Sequence, residues 1–133
     1  MIYFSLIFIT LAAICNAIMD TSVHHYSTSV FKKLKPEFWN GEISWKSKYI
    51  NGDFNKGRVK WIFNLDKPVQ LTDAFHFFKM LMIIFICLSI MTFDKCASFI
   101  GCEYQWYSFT IMLLIYGIIW NSTFSLFYNK ILR

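Results

Sequence analysis

An apolar run ends abruptly in the segment NAIMDTSVHH, residues 16–25, where a carboxylate is followed closely by two imidazoles. On an α-helix, residues four apart lie on one face, so Asn16, Asp20 and His24 form a single polar stripe. His25 lies about 100° further around the same helix. The segment therefore predicts an apolar helix that closes with a polar, titratable end.

A second apolar run begins about fifty residues later with the segment TDAFHFFK, residues 72–79. Thr72 suits the N-cap position of a helix, and Asp73 in the first turn suits the helix dipole. His76 and Lys79 follow Asp73 on one side of this helix, and Lys79 can extend back to lipid headgroups. All three histidines of the chain therefore lie at the ends of two apolar helices.

The distribution of charge predicts three helices that cross a membrane. Residues 2–19 and 104–128 carry no charged side chain, and in residues 74–93 the only basic side chains are His76 and Lys79 near the start. A bilayer core is crossed by about 20 helical residues, so each run is long enough. An apolar content of 56% agrees with this class. The predicted fold is one all-α membrane domain with helices over residues 2–20, 74–93 and 104–128 and a loop over residues 21–73.

The first run could instead be a cleaved signal peptide. No Lys or Arg precedes Thr10, so the positive n-region of a signal peptide is missing. The run also exceeds the roughly 7–15 apolar residues of a typical signal peptide. Retention as a membrane helix is the favoured interpretation.

Basic residues predict the orientation of the chain. Ten of the thirteen lie between residues 20 and 79, whereas the connection over residues 94–103 carries only Lys95. The positive-inside rule then places the long loop and the C-terminus in the cytoplasm, with the N-terminus outside. Because the net charge of +5 is concentrated on the loop side, the expected partner is anionic lipid headgroup rather than nucleic acid.

The first part of the long loop is predicted to lie along the membrane surface. From Val23 the apolar residues follow a helical spacing beside a cluster of lysines, which is typical of an amphipathic interfacial segment. A bend near Thr21 would turn the chain onto the surface, and Pro36 would end the segment. This bend would leave His24 and His25 at headgroup depth.

The rest of the loop, residues 37–67, is predicted to be structured, because it is rich in aromatic residues that disordered segments lack. Arg58 and Lys60 lie beside an aromatic ring in the sequence GRVKW. These two cations and Lys79 are candidates for contact with a lipid headgroup or phosphate. The alternative is a loop that follows the membrane surface without a specific ligand.

Two further features concern the last third of the chain. Cys96 and Cys102 are near enough in sequence to pair if the short connection faces an oxidising space. The sequence does not indicate an oligomeric state, and it shows no G-x-x-x-G face to suggest the oligomerisation that a holin would need. Polar residues in the second half of the third run predict a lining that faces the other helices: Tyr116, Trp120, Asn121, Ser122, Ser125 and Tyr128.

The motifs NAIMD at residues 16–20, FWN at 38–40, NGD at 51–53 and TDAFH at 72–76 resemble a group of small integral membrane proteins. These proteins belong to Bacteroidetes-type bacteria and their bacteriophages, and the resemblance covers roughly residues 10 to 90. It implies a bacterial or phage origin and a bacterial inner-membrane location. It carries over no activity.

The candidate metal ligands are Asp20, His24, His25, Asp73 and His76, which the predicted topology brings to one end of two helices. Imidazole nitrogen and carboxylate oxygen are common ligands of zinc and manganese, and helix bundles often supply such mixed sets. A bound metal could activate water for hydrolysis of a lipid-linked substrate at the cytoplasmic leaflet.

Two alternatives give these residues a simpler role. Asp73 and the histidines could form a structural hydrogen-bonded cluster, or they could act separately, with Asp73 only capping its helix. The protein would then be a non-enzymatic membrane protein that binds lipid or a partner through its basic, aromatic loop. A viral origin would make a holin-like or exclusion role possible.

Overall fold

The computed structural model describes residues 4–93 and 106–133, and it confirms the all-α prediction. Three long helices, α1 (Phe4–His24), α2 (Ala74–Met91) and α3 (Trp106–Leu126), lie close to their predicted positions. A π-helical turn, Phe127–Ile131, extends α3. All three helices are long and apolar enough to cross a membrane.

The helices run up, down and up. Ser5 at the start of α1 contacts Ser89 at the end of α2, so these two helices are antiparallel. Ser5 also contacts Tyr116 of α3, and His25 after the end of α1 packs on Tyr128. The loop over residues 25–73 and the end of α3 therefore lie at the same end of the bundle. That this end faces the cytoplasm stays a prediction.

Helix α1 is the central element because its small side chains allow close approach by both neighbours. It packs along α2 and α3, and Ala12, Ala13 and Ala17 have no exposed surface. Small residues at such contacts increase the van der Waals packing that holds helices together in lipid. Retention of the first run as a membrane helix stays a prediction.

A buried hydroxyl cluster links all three helices at the end opposite the loop. Ser5 Oγ donates to the carbonyl oxygen of Ser89 at 2.8 Å, and Ser89 Oγ donates to the carbonyl oxygen of Ser5 at 3.0 Å. The Tyr116 hydroxyl also contacts Ser5 Oγ. Polar pairs of this kind stabilise helix contacts in lipid, where water cannot replace them.

The chain leaves α1 later than predicted. Because α1 continues through Thr21 to His24, the predicted bend near Thr21 is wrong in position, and short turns replace the continuous amphipathic segment. The one-turn α-helices of the loop are Pro36–Trp39 and Gly41–Ser44. Its 3-10 turns are Tyr26–Thr28, Val30–Lys33, Trp45–Lys48, Ile50–Gly52, Phe54–Lys56, Ile62–Asn64 and Val69–Leu71.

The loop is anchored to the bundle by an apolar cluster of Ala17, Phe31 and Leu132. The backbone N–H of Val30 donates to the carbonyl oxygen of Leu132 at 3.0 Å. Trp39 stacks on Phe31, with ring centroids 4.5 Å apart. The first part of the loop is therefore packed on the helices, whereas its predicted position along the membrane surface stays a prediction.

Gly41 marks the closest approach of the loop to α1. A Cβ atom at this position would lie 2.8 Å from the Cα atom of Val23, too near for an ordinary contact. We expect Gly41→Ala to lower the free energy of unfolding by about 1–3 kcal/mol, because the backbones must separate. Thermal unfolding of the detergent-solubilised protein measures this effect.

Gly117→Ala is the matched control, since a Cβ atom at this position of α3 meets nothing within 4 Å. An added methyl group there should leave stability unchanged or raise it slightly, because Ala favours helix over Gly. Equal melting temperatures for the two variants would show that the loop does not dock as described.

Candidate functional site

Asp73 and His76 form a tight pair at the start of α2. Asp73 is buried, and its Oδ1 accepts the backbone N–H of His76 at 2.9 Å, which caps the helix. The Nδ1 atom of His76 lies 2.8 Å from both carboxylate oxygens. The Thr72 hydroxyl lies 3.2 Å from Oδ2. The carboxylate thus holds both the first turn of α2 and the orientation of the imidazole.

The other predicted ligands do not join this pair. His24 is exposed, and the half-buried Asp20 has no side-chain partner among the residues that the structure describes. Nowhere in residues 4–93 and 106–133 do three His, Cys, Asp or Glu side chains come together as a metal site would require. The structure therefore joins two of the five candidate ligands, and a zinc or manganese site stays a prediction.

His25 faces the end of α3 instead of α2. Its ring packs edge-on against Tyr128 at 5.3 Å between centroids, and its Nε2 contacts the Arg133 guanidinium. Desolvation, followed by the charges of Arg133 and His24, lowers the pKa of His25. The neutral imidazole can accept a hydrogen bond from the guanidinium, so His25 connects the loop to α3.

Two successive chain reversals build the far part of the loop, residues 48–67. In the first, the N–H of Ile50 donates to the carbonyl oxygen of Gly57 at 3.0 Å. In the second, the N–H of Trp61 donates to the carbonyl oxygen of Leu65 at 2.7 Å. The second reversal presents residues 61–65, which we call the apolar tip.

The apolar tip exposes large apolar side chains. Phe63 is 92% exposed, and Trp61, Ile62 and Leu65 are 51%, 51% and 66% exposed. Phe63 and the following Asn64 have positive φ angles of 54° and 60°, which non-glycine residues rarely adopt. Sequence analysis missed this feature, although the run WIFNL between Lys60 and Asp66 could have indicated it.

Cations surround the base of the apolar tip. Lys60 Nζ lies 2.7 Å from Asp66 Oδ1, and this hydrogen bond holds the pKa of Asp66 below its usual range. Arg58 is exposed, with no ion pair among the described residues. Lys79, in contrast, lies over the Phe75 ring at 5.9 Å, away from the tip in sequence. Arg58 is therefore the predicted headgroup contact that is most available to a ligand.

The predicted polar lining of α3 is only partly formed. Tyr116 and Tyr128 contact residues of α1 and its following turn, as predicted. Asn121, Ser122 and Ser125 are exposed, so the prediction that they face the other helices is wrong. Asn121 lies about 180° around the helix from the buried Met112, which agrees with its exposure.

The three apolar helices define the class of this molecule as a multi-pass membrane protein. No protein-family model matches the chain, and neither a curated protein nor a solved structure was found to match it. The resemblance to small membrane proteins of Bacteroidetes-type bacteria and phages stays a prediction. Cys96 and Cys102 lie outside the described residues.

Proposed function

We propose that this protein is a non-enzymatic membrane protein whose loop binds the anionic lipid surface, with the apolar tip inserted among the lipids. The observation that carries the proposal is the 92% exposure of Phe63 at the end of a hydrogen-bonded reversal. Exposed apolar groups beside cations are typical of surfaces that bind membranes. In this proposal the loop faces the cytoplasmic leaflet of a bacterial inner membrane.

The free energies favour insertion. Burial of a Phe or Leu side chain contributes about 1.5–3 kcal/mol each. The left-handed backbone of Phe63 and Asn64 is already present before insertion, so insertion adds no further strain there. Each cation near an anionic surface adds about 1 kcal/mol. Arg58 and Lys56 are both exposed and near the tip in sequence, although Lys56 Nζ also lies 3.8 Å from Asp53 Oδ2. The helices already hold the loop at the membrane, so no further loss of translational freedom is needed.

The Asp73–His76 pair has a structural role in this proposal. Asp73 already accepts hydrogen bonds from the helix N-terminus and from the imidazole, so its oxygens are occupied within its own helix. A metal-dependent hydrolase would need a third ligand at this position. The apolar tip requires no such rearrangement to meet lipid, which is why we prefer lipid binding.

A spin label at the apolar tip tests the proposal. The label is attached at Phe63→Cys after the native cysteines are replaced, and the protein is placed in nanodiscs of phosphatidylglycerol and phosphatidylcholine. We expect the label to be reached by oxygen and shielded from a water-soluble nickel reagent, because the tip lies in hydrocarbon. The shielding should be greater with the anionic lipid, since Arg58 and its neighbours attract that surface.

Asn55→Cys is the matched control, because Asn55 is an exposed polar residue of the first reversal. Its label should be open to the nickel reagent in both lipids. Equal nickel access at positions 55 and 63 would contradict the insertion of the tip, and equal shielding in both lipids would contradict the preference for anionic headgroups.

A further inference from the structure

Asn121 presents an unpartnered amide near the middle of a membrane-crossing helix. The apolar span formed by most of α3 and the π-helical turn after it runs over Phe109–Ile131, and Asn121 is close to its midpoint. The side chain is exposed and has no hydrogen-bond partner in the part of the chain that the structure describes. Snorkelling cannot relieve this amide, because its short side chain cannot reach either headgroup region from that depth.

The cost of leaving this amide in lipid is large. An amide moved from water to hydrocarbon without a hydrogen bond loses its solvation with no compensation, and the bilayer core supplies no water. Asparagine side chains inside membranes therefore tend to hydrogen-bond across helices. The amide indicates that another polar group lies against α3 at the same depth.

The residues around Asn121 form a seam suited to a second helix. Ile111, Leu114, Ile118, Asn121 and Ser125 recur at spacings of three and four, which is the heptad pattern of a left-handed helix pair. The three aliphatic members are 41%, 64% and 66% exposed. The buried Met112 lies nine residues before Asn121 and thus about 180° around the helix, so the seam faces away from Met112, and it ends at Ser125, before Tyr128 packs on His25.

We propose that this seam binds α3 of a second copy of the chain, in a parallel pair with Asn121 facing Asn121. An amide both donates and accepts a hydrogen bond, so two copies related by a two-fold axis satisfy each other. Copies that share one topology place residue 121 at one depth automatically. A different partner would need its own polar group at that depth. The pairing is independent of lipid binding by the apolar tip.

Energy transfer between two differently labelled copies tests the pairing. The full chain is reconstituted in liposomes over a range of protein-to-lipid ratios, with the dyes on the exposed loop residue Asn55→Cys. We expect self-association for the native residue at 121 and roughly tenfold weaker association for Asn121→Leu, since the paired amides are lost. Asn121→Gln should retain most of the association.

Ser122→Leu is the matched control. Ser122 is exposed at the same depth but lies about 100° from Asn121 and outside the seam, so its substitution should leave association unchanged. Unaltered thermal unfolding of the Leu variants would confirm an intact fold. A monomeric native chain, native-like association of Asn121→Leu, or an equal loss in Ser122→Leu would each overturn the proposal.

Discussion

Asp73→Ala is expected to lower the free energy of unfolding by about 2–3 kcal/mol. The substitution removes an N-cap, which costs about 1 kcal/mol, and a hydrogen bond to a charged group, which contributes about 1.5–3 kcal/mol. The substitution also removes the unfavourable burial of a carboxylate, and this gain offsets part of the loss. Unfolding of the solubilised protein, followed by circular dichroism, measures the change.

Asp53→Ala is the control for this prediction. Asp53 also accepts a backbone N–H, from Asn55 at 2.9 Å, but in an exposed turn. Its loss should cost well under half as much, because water can replace the missing acceptor. The free energy of unfolding of Asp73→Asn should lie between those of the native protein and Asp73→Ala, since Asn keeps the cap and loses the charge.

Metal analysis of two histidine variants separates the structural role from the hydrolase hypothesis. A structural pair predicts that His24→Ala and His76→Ala leave the metal content of the purified protein unchanged. If each substitution removes bound zinc or manganese, the predicted ligand set assembles in solution. The non-enzymatic function proposed above would then have to be given up.

Ser89→Leu is expected to cost about 3 kcal/mol or more. Ser89 is only 1% exposed, because it packs against Ser5 of α1. A larger side chain must therefore push the two helices apart, which costs about 1–3 kcal/mol. The hydrogen bonds that the Ser89 hydroxyl makes with Ser5 are lost as well, at about 0.6 kcal/mol each. Unfolding in a graded series of detergent mixtures measures the difference.

Cys87→Leu is the control for the helix contact, because Cys87 is exposed on the same helix. A Leu facing lipid should be tolerated there. Ser89→Ala should cost less than Ser89→Leu, since it removes only the hydroxyl group. If Ser89→Leu were as stable as Cys87→Leu, α1 and α2 would not meet at this residue.

The helices could be predicted from the sequence because solvation alone decides them. A charge-free run of about 20 residues is favourable in lipid whatever its neighbours are. The end of α1 could not be predicted in this way. Thr21 and Ser22 are buried, and Gly41 packs against Val23. These contacts with residues distant in sequence keep the helix intact past the predicted bend.

In the candidate site, only contacts between residues close together in the sequence could be predicted. Asp73 and His76 are three residues apart, and helix geometry alone brings them together. His25 turns toward the end of α3, and Asn121 turns outward, because both depend on how the third helix packs. The apolar tip was missed because a short apolar run usually indicates a buried segment.

The contact between Leu132 and Phe31 has a consequence for biogenesis. Leu132 is translated about a hundred residues after Phe31, so the apolar cluster cannot close until α3 has been synthesised. At ribosomal speeds of roughly 5–20 residues per second, the delay is on the order of ten seconds. During this interval the aromatic rings of the nascent loop must be removed from water without the apolar cluster. The headgroup layer of the membrane is the nearest such environment, and Trp and Tyr are favoured there.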